Sequence, residues 1–167
     1  AGFYFDGVDD CIEIRNLTSL ARFNDNFTVL MFLKVKGQPP QVFIAKDVPS
    51  FNREWALWWA GIDDHIKGLV KTVKHLVISD SSISPVRDKY ALYGLMYNGS
   101  HLTVIVNGKP HEPVPVVGAI SITDVPITVG CRGDRKVFTK GCILSIFLYN
   151  RTLNIQELQQ ISKDGNP

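Results

Sequence analysis

From residue 3 to residue 149 the chain is a succession of short runs rich in β-branched and aromatic residues, each cut within about ten residues by a glycine, proline or asparagine turn. A backbone interrupted that often forms antiparallel strands joined by tight turns. With 167 residues, 45% hydrophobic and 20% charged, it is long enough and apolar enough to close those strands over one core without metal or disulfide staples. Strand alternation over Phe27–Val35 puts Phe27, Val29, Met31, Leu33 and Val35 on one face, which should be core. Leu30 and Phe32 fall on the other face, where a half-exposed strand would carry polar groups, so a loop or a partner is expected to cover it. Residues 55–60 alternate in the same way, with Trp55, Leu57 and Trp59 on one side and Trp58 on the other. Asn98-Gly99 and Asn107-Gly108 signal hairpins, because both central residues of a type I′ turn need positive φ. The one helical segment is 155–162, with Asn154 as N-cap and Glu157 completing a capping box. The expectation is one all-β domain over residues 1–167, a two-sheet antiparallel sandwich with one short C-terminal helix. Its start at Ala1, directly before the first strand, reads as a domain cut from a larger protein or a processed product.

Three segments carry a resemblance. The first is Gly2-Phe3-Tyr4-Phe5-Asp6-Gly7-Val8-Asp9-Asp10 followed by Cys11-Ile12-Glu13-Ile14, a strand, an acidic glycine turn and a strand. The last is Gly141-Cys142-Ile143-Leu144-Ser145-Ile146-Phe147-Leu148-Tyr149-Asn150-Arg151-Thr152-Leu153 and the helical Glu157-Leu158 beyond it. Between them, residues 90–108 give an aromatic strand, an Asn-Gly turn and Leu102-Thr103-Val104-Ile105-Val106-Asn107-Gly108-Lys109. In this order and spacing they resemble a laminin-G-like, concanavalin-A-like jelly roll. The resemblance implies two stacked antiparallel sheets, with the first and last strands side by side. It also implies a module that binds acidic glycans or proteins at its rim and frequently holds calcium.

Several function classes are excluded by composition and spacing. A formal net charge of +2 gives no bulk reason to expect nucleic acid or a membrane surface as partner. No apolar run reaches the roughly 20 residues that span a bilayer, so membrane insertion is not expected. Glycosidases on this architecture need two carboxylates about 5–9.5 Å apart across the scissile bond. The four glutamates, Glu13, Glu54, Glu112 and Glu157, are not spaced to share one strand face. His65, His75, His101 and His111 lack zinc-protease spacing, and neither a nucleophile elbow nor a phosphate-binding glycine loop is present. The chain reads as no enzyme.

What remains is recognition. Sugar sites on β-sandwiches set aromatic rings against pyranose faces, with polar groups on nearby loops. Trp58, pointing away from the core, with Asn52 and Arg53 in the preceding loop, fits that description; packing beneath a long loop is the other reading of Trp58. The loop between Cys131 and Cys142 carries Arg132, Arg135, Lys136 and Lys140 against Asp134, a cluster suited to sulfate or carboxylate groups or simply a solvated turn. The same loop spells Arg132-Gly133-Asp134, a tripeptide too short to carry a function alone. Asp6, Asp9 and Asp10, and Asp63 with Asp64, offer oxygens to a structural calcium ion, or serve as turn residues whose carboxylates bond the backbone. No other cofactor is expected.

Cys11, Cys131 and Cys142 do not have zinc-ligand spacing. One disulfide and one free thiol is the natural count. Cys131 follows one strand and Cys142 opens the next, so the two are expected to face each other across a hairpin loop and bond. The alternative is three buried thiols in a reducing compartment. Sequons at Asn16, Asn26, Asn98 and Asn150 exceed the roughly one expected by chance among the asparagines and favour a glycosylated protein outside the cell or on a particle surface. Two functions follow. One is a non-catalytic extracellular module binding glycan or a cell-surface protein through rim loops or the concave face. The other is an assembly domain of a virion surface protein or adhesin, whose Leu30/Phe32 face packs on a neighbouring domain or subunit.

Overall fold

The computed structural model of the chain describes residues 2–15 and 26–165. Among these run the strands β1 (Phe3–Asp6), β2 (Ile12–Ile14), β3 (Phe27–Val35), β4 (Gln41–Val48), β5 (Asn52–Trp59), β6 (Ile66–Lys71) and β7 (Leu76–Asp80). They are followed by β8 (Tyr90–Tyr97), β9 (His101–Val106), β10 (Lys109–Pro110), β11 (Val114–Pro115), β12 (Ile127–Val129), β13 (Lys140–Tyr149) and the helix α1 (Ile155–Asp164). One antiparallel sheet has the order β1-β13-β3-β8-β9-β10, with β11 also on β9; the other has the order β2-β12-β4-β5-β6-β7. Their inner faces pack together around Phe27, Val29, Met31, Leu33, Phe43, Trp55, Leu57, Trp59 and Tyr93, the sandwich core that strand alternation anticipates.

The first and last strands are neighbours, with Phe3 opposite Ile143 and Tyr4 opposite Cys142. The acidic turn after β1 does not make a hairpin. It carries the chain across to the other sheet, where β2 pairs with β12 and Ile14 lies opposite Ile127.

Leu30 and Phe32 are covered by the chain's own helix. With Leu92 and Ile105 they form a second apolar cluster under Leu153 and Leu158, flanked by Ile161. The helix starts where the sequence says it should: Asn154 Oδ1 accepts from the Glu157 N–H at 2.9 Å and Glu157 Oε2 accepts from the Asn154 N–H at 2.9 Å. It runs on to Asp164 and closes at Gly165, where a Cβ would overlap the Phe32 ring. β3 is therefore buried on both faces along most of its length, which is why it is apolar except at Thr28 and Lys34. The apolar face that would have met another domain is already filled.

The disulfide joins Cys11 to Cys131, with Cα atoms 5.4 Å apart, and Cys142 is a free, half-buried thiol. The expected Cys131–Cys142 bond fails because β12 and β13 belong to different sheets, so the segment between them is a crossover rather than a hairpin. Pairing of β2 with β12 puts Ile12 opposite Val129 and brings Cys11 to Cys131 instead.

Candidate ligand-binding groove

The outer face of the β4-β5-β6-β7 sheet is shaped by two irregularities in strand pairing. On β4 the register shifts between Val42 and Ile44, so Phe43 is an extra residue and both Phe43 and Ile44 join the core. On β5 the partner of Lys46 is Trp55 and that of Asp47 is Arg53, so Glu54 is skipped. Glu54 and Lys46 form a buried ion pair at 2.5 Å. The second shift turns Arg53 outward, although its parity with Trp55, Leu57 and Trp59 would send it into the core. Asn52 and Arg53 are the first two residues of β5 rather than part of the preceding loop.

Cross-strand neighbours then define the face. Val42, Trp58, Lys67 and Asp80 form one row, and Ala45, Ala56, Leu69 and Ile78 form the next. Two small residues beside a tryptophan leave a depression. A groove of about 220 Å³ opens there, lined by Val42, Ala56 and Leu69, by Trp58 on one side, by Leu76 and Ile78 toward the sheet edge, and by Asp47, Arg53 and Arg132 at its polar end. Trp58 is half-buried and packs on the same small cluster as Val42, Ala45, Ala56 and Leu69. Sheet parity anticipated its outward direction; the six groove residues Asp47, Val42, Ala56, Leu69, Leu76 and Ile78 were not singled out.

The polar end is built from two guanidinium–carboxylate forks. Arg53 donates from Nε to Asp47 Oδ1 at 2.6 Å and from Nη2 to Oδ2 at 3.0 Å, with Asp47 buried. Arg132 donates from Nε and Nη2 to the two oxygens of Asp134, each at 2.8 Å. These bonds hold the Asp134 carboxyl below its ordinary range and raise Arg132. The Arg132 fork also closes the Arg132-Gly133-Asp134 tripeptide on itself, so its two charged ends face each other rather than outward.

The 131–139 segment is tied down over β4. The Gly133 N–H donates to the Asp47 carbonyl at 3.2 Å, Thr139 Oγ1 to the Val42 carbonyl at 2.6 Å, and Val137 packs on the groove cluster. Arg135 lies outside the groove and bonds Glu13 on β2 at 2.6 Å, a neighbour supplied by the Cys11–Cys131 link. Lys136 and Asn52 are exposed and do not line the groove. The loop is thus less basic than its sequence reads, because Arg135 is matched by an acid from a remote strand.

Asp6, Asp10, Asp63 and Asp64 of the acidic turns take part in local bonding. Asp6, Asp9 and Asp10 hold carboxylate oxygens within 4.8 Å of one another, all exposed. Asp6 Oδ1 accepts from the Val8 N–H at 2.7 Å and Asp10 Oδ2 from the Asp6 N–H at 2.8 Å, the turn chemistry of the second reading. Calcium takes six to eight oxygens, and three carboxylates with two oxygens already engaged fit that only in part. Asp63 and Asp64 diverge: Asp63 binds Lys67, while Asp64 accepts from Trp59 Nε1 at 2.8 Å and Ser84 Oγ at 2.8 Å. Asn26, Asn98 and Asn150 are exposed, and Asn16 lies outside the described residues.

The sequence model of the concanavalin A-like lectin/glucanases superfamily matches residues 6–159. The chain belongs to that superfamily. No curated protein matches it. Among solved structures it is similar to the CBM40 of the Ruminococcus gnavus IT-sialidase, at 11% identity and a TM-score of 0.76 over 96% of both chains. It is also similar to domain 4 of AbnA, a GH43 extracellular arabinanase from Geobacillus stearothermophilus solved with arabinotriose, at 11% identity and a TM-score of 0.72, over 96% of this chain and 82% of that one. A third is the receptor binding domain of botulinum neurotoxin mosaic serotype C/D, at 14% identity and a TM-score of 0.70 over 93% of this chain. The chain spans 40% of that toxin domain's length. At these identities the superfamily likeness is one of fold.

Proposed function

We propose that the chain is a non-catalytic carbohydrate-binding module, working outside the cell, and that its sugar seat is the groove on the outer face of the β4-β5-β6-β7 sheet. The observation that carries this is the half-buried Trp58 beside a floor of small side chains, with the Arg53–Asp47 and Arg132–Asp134 forks at one end. An indole supplies an apolar face to a sugar ring, and each fork supplies N–H donors next to carboxylate acceptors, the pattern that adjacent hydroxyls satisfy. The solved relatives that bind arabinotriose or carry a CBM40 add support at the level of fold. A cysteine pair bonded across 120 residues supports an oxidising compartment.

The forks also select the ligand's charge. Each guanidinium is already charge-matched by a carboxylate, so the polar end offers little net charge to attract an anionic sugar, whereas a neutral one adds bonds to the N–H donors left over without breaking any. The groove is smaller than the roughly 300–1,000 Å³ of sites that enclose a drug-sized ligand. It therefore seats one ring of a longer chain. A glycan array followed by tryptophan-fluorescence titration tests this. Saturable binding of neutral glycans, little affected by salt, is expected; binding restricted to sulfated or carboxylated glycans, or none at millimolar sugar, contradicts it.

A further inference from the structure

Three of the four sequons meet in space although they lie far apart in sequence. Asn26 immediately precedes β3, Asn98 follows β8 and Asn150 follows β13. These are adjacent strands of one sheet, and the register brings the three ends together: Phe27 pairs with Tyr97 and Thr28 with Tyr149. Two of the sequons are bonded to each other, since Thr28 Oγ1 of Asn26-Phe27-Thr28 donates to the carbonyl of Arg151 in Asn150-Arg151-Thr152 at 2.8 Å. The third is a turn in which Asn98 Oδ1 accepts from the Ser100 and His101 N–H groups at 3.0 and 2.8 Å. All three asparagines are exposed. None of β3, β8 and β13 belongs to the sheet that carries the groove.

We infer that this rim, Asn26, Asn98 and Asn150 at the joined ends of β3, β8 and β13, is an N-glycosylated surface. Chance gives roughly one sequon in a chain with this many asparagines. It gives no reason for three to converge on one exposed rim of a disulfide-bonded domain. The donor is an oligosaccharide carried on a lipid diphosphate. In the transfer, Asn Nδ2 forms a C–N bond to the anomeric carbon, the anomeric C–O bond breaks, the lipid diphosphate leaves with the electron pair, and the amide proton is lost to base. Thr28 is buried and its hydroxyl is engaged in the folded chain, so Asn26 is modified before β3 pairs with β13. The glycans then crowd one end of the helix-covered sheet and leave the opposite sheet open.

The test is secretion of the whole chain from a eukaryotic cell line behind a cleavable leader. Enzymatic release of N-glycans in heavy-oxygen water converts each occupied asparagine to labelled aspartate, read peptide by peptide. Label at Asn26, Asn98 and Asn150 is expected, and Asn26→Gln, Asn98→Gln and Asn150→Gln should each remove one step in gel mobility. An unlabelled Asn26, Asn98 or Asn150 in the secreted protein, or retention of the unsubstituted chain without glycan, overturns the inference. Mapping the unsubstituted chain reads occupancy without requiring any variant to fold, and its outcome is independent of whether the groove binds sugar.

Discussion

Trp58 differs from Trp55 and Trp59 in strand parity, and that difference separates a groove-lining group from two core groups. Trp55 and Trp59 are fully buried between the sheets, whereas Trp58 lines the groove. Trp58→Ala should therefore abolish sugar-induced quenching while costing clearly less stability than Trp55→Ala, which should lower it by about 3–5 kcal/mol. Fluorescence titration and thermal melts of the two variants check this. The outward direction of Trp58 was legible because parity within a strand is a local property. That of Arg53 was not, because it depends on Glu54 being skipped in the pairing with β4, a feature set by two strands together. Asp47 was hidden for a related reason: a buried carboxylate in an apolar run looks like an anomaly until the strand opposite supplies its guanidinium.

At the level of elements, α1 and the 131–139 segment decide which surfaces are free. The capping box made the helix readable, but its docking on Leu30 and Phe32 is a contact between residues more than 120 apart that no local pattern encodes. Leu158→Ala removes the buried side chain at the centre of that contact and should cost about 2–5 kcal/mol, measured by denaturant unfolding. Asn154→Ala should cost about 0.5–2 kcal/mol in the same assay through loss of the cap. The cysteine pairing was misread because the crossover between sheets looks, in sequence, like a hairpin. Cys11→Ser and Cys131→Ser should each destabilise by about 2–5 kcal/mol, while Cys142→Ser should be close to neutral. Thiol mapping by mass spectrometry should find one alkylatable cysteine, at position 142.

For the whole molecule, the stability profile with pH follows from where its charges are paired. Hydrogen bonds from Arg132 hold the Asp134 carboxyl below its ordinary 3.8, and those from Arg15 and Arg135 hold Glu13 below 4.5. A carboxyl whose folded pKa is depressed contributes stability that is complete above its unfolded value and is lost as pH falls through the folded one. Melting temperature should therefore decline below about pH 4. Burial pushes the Tyr93 hydroxyl from 10.0 up to about 12. Its contribution is complete below pH 10.0 and fades as pH rises toward 12, so Tyr93→Phe should flatten part of the alkaline fall relative to the unsubstituted chain. The sandwich itself, its core and its neighbouring first and last strands were readable from turn rhythm and segment order, because they rest on many redundant apolar contacts. The groove rests on two irregular pairings and one crossover, and emerged only in three dimensions. The most direct measurement is a two-dimensional NMR titration of the labelled chain with the neutral oligosaccharide that binds best on an array. Saturable shift changes centred on Val42, Ala45, Ala56, Trp58, Leu69 and the Arg53 and Arg132 side chains are predicted. Shifts centred instead on the Asp6–Asp10 turn or on the ends of β3, β8 and β13, with the groove unmoved, would contradict the account.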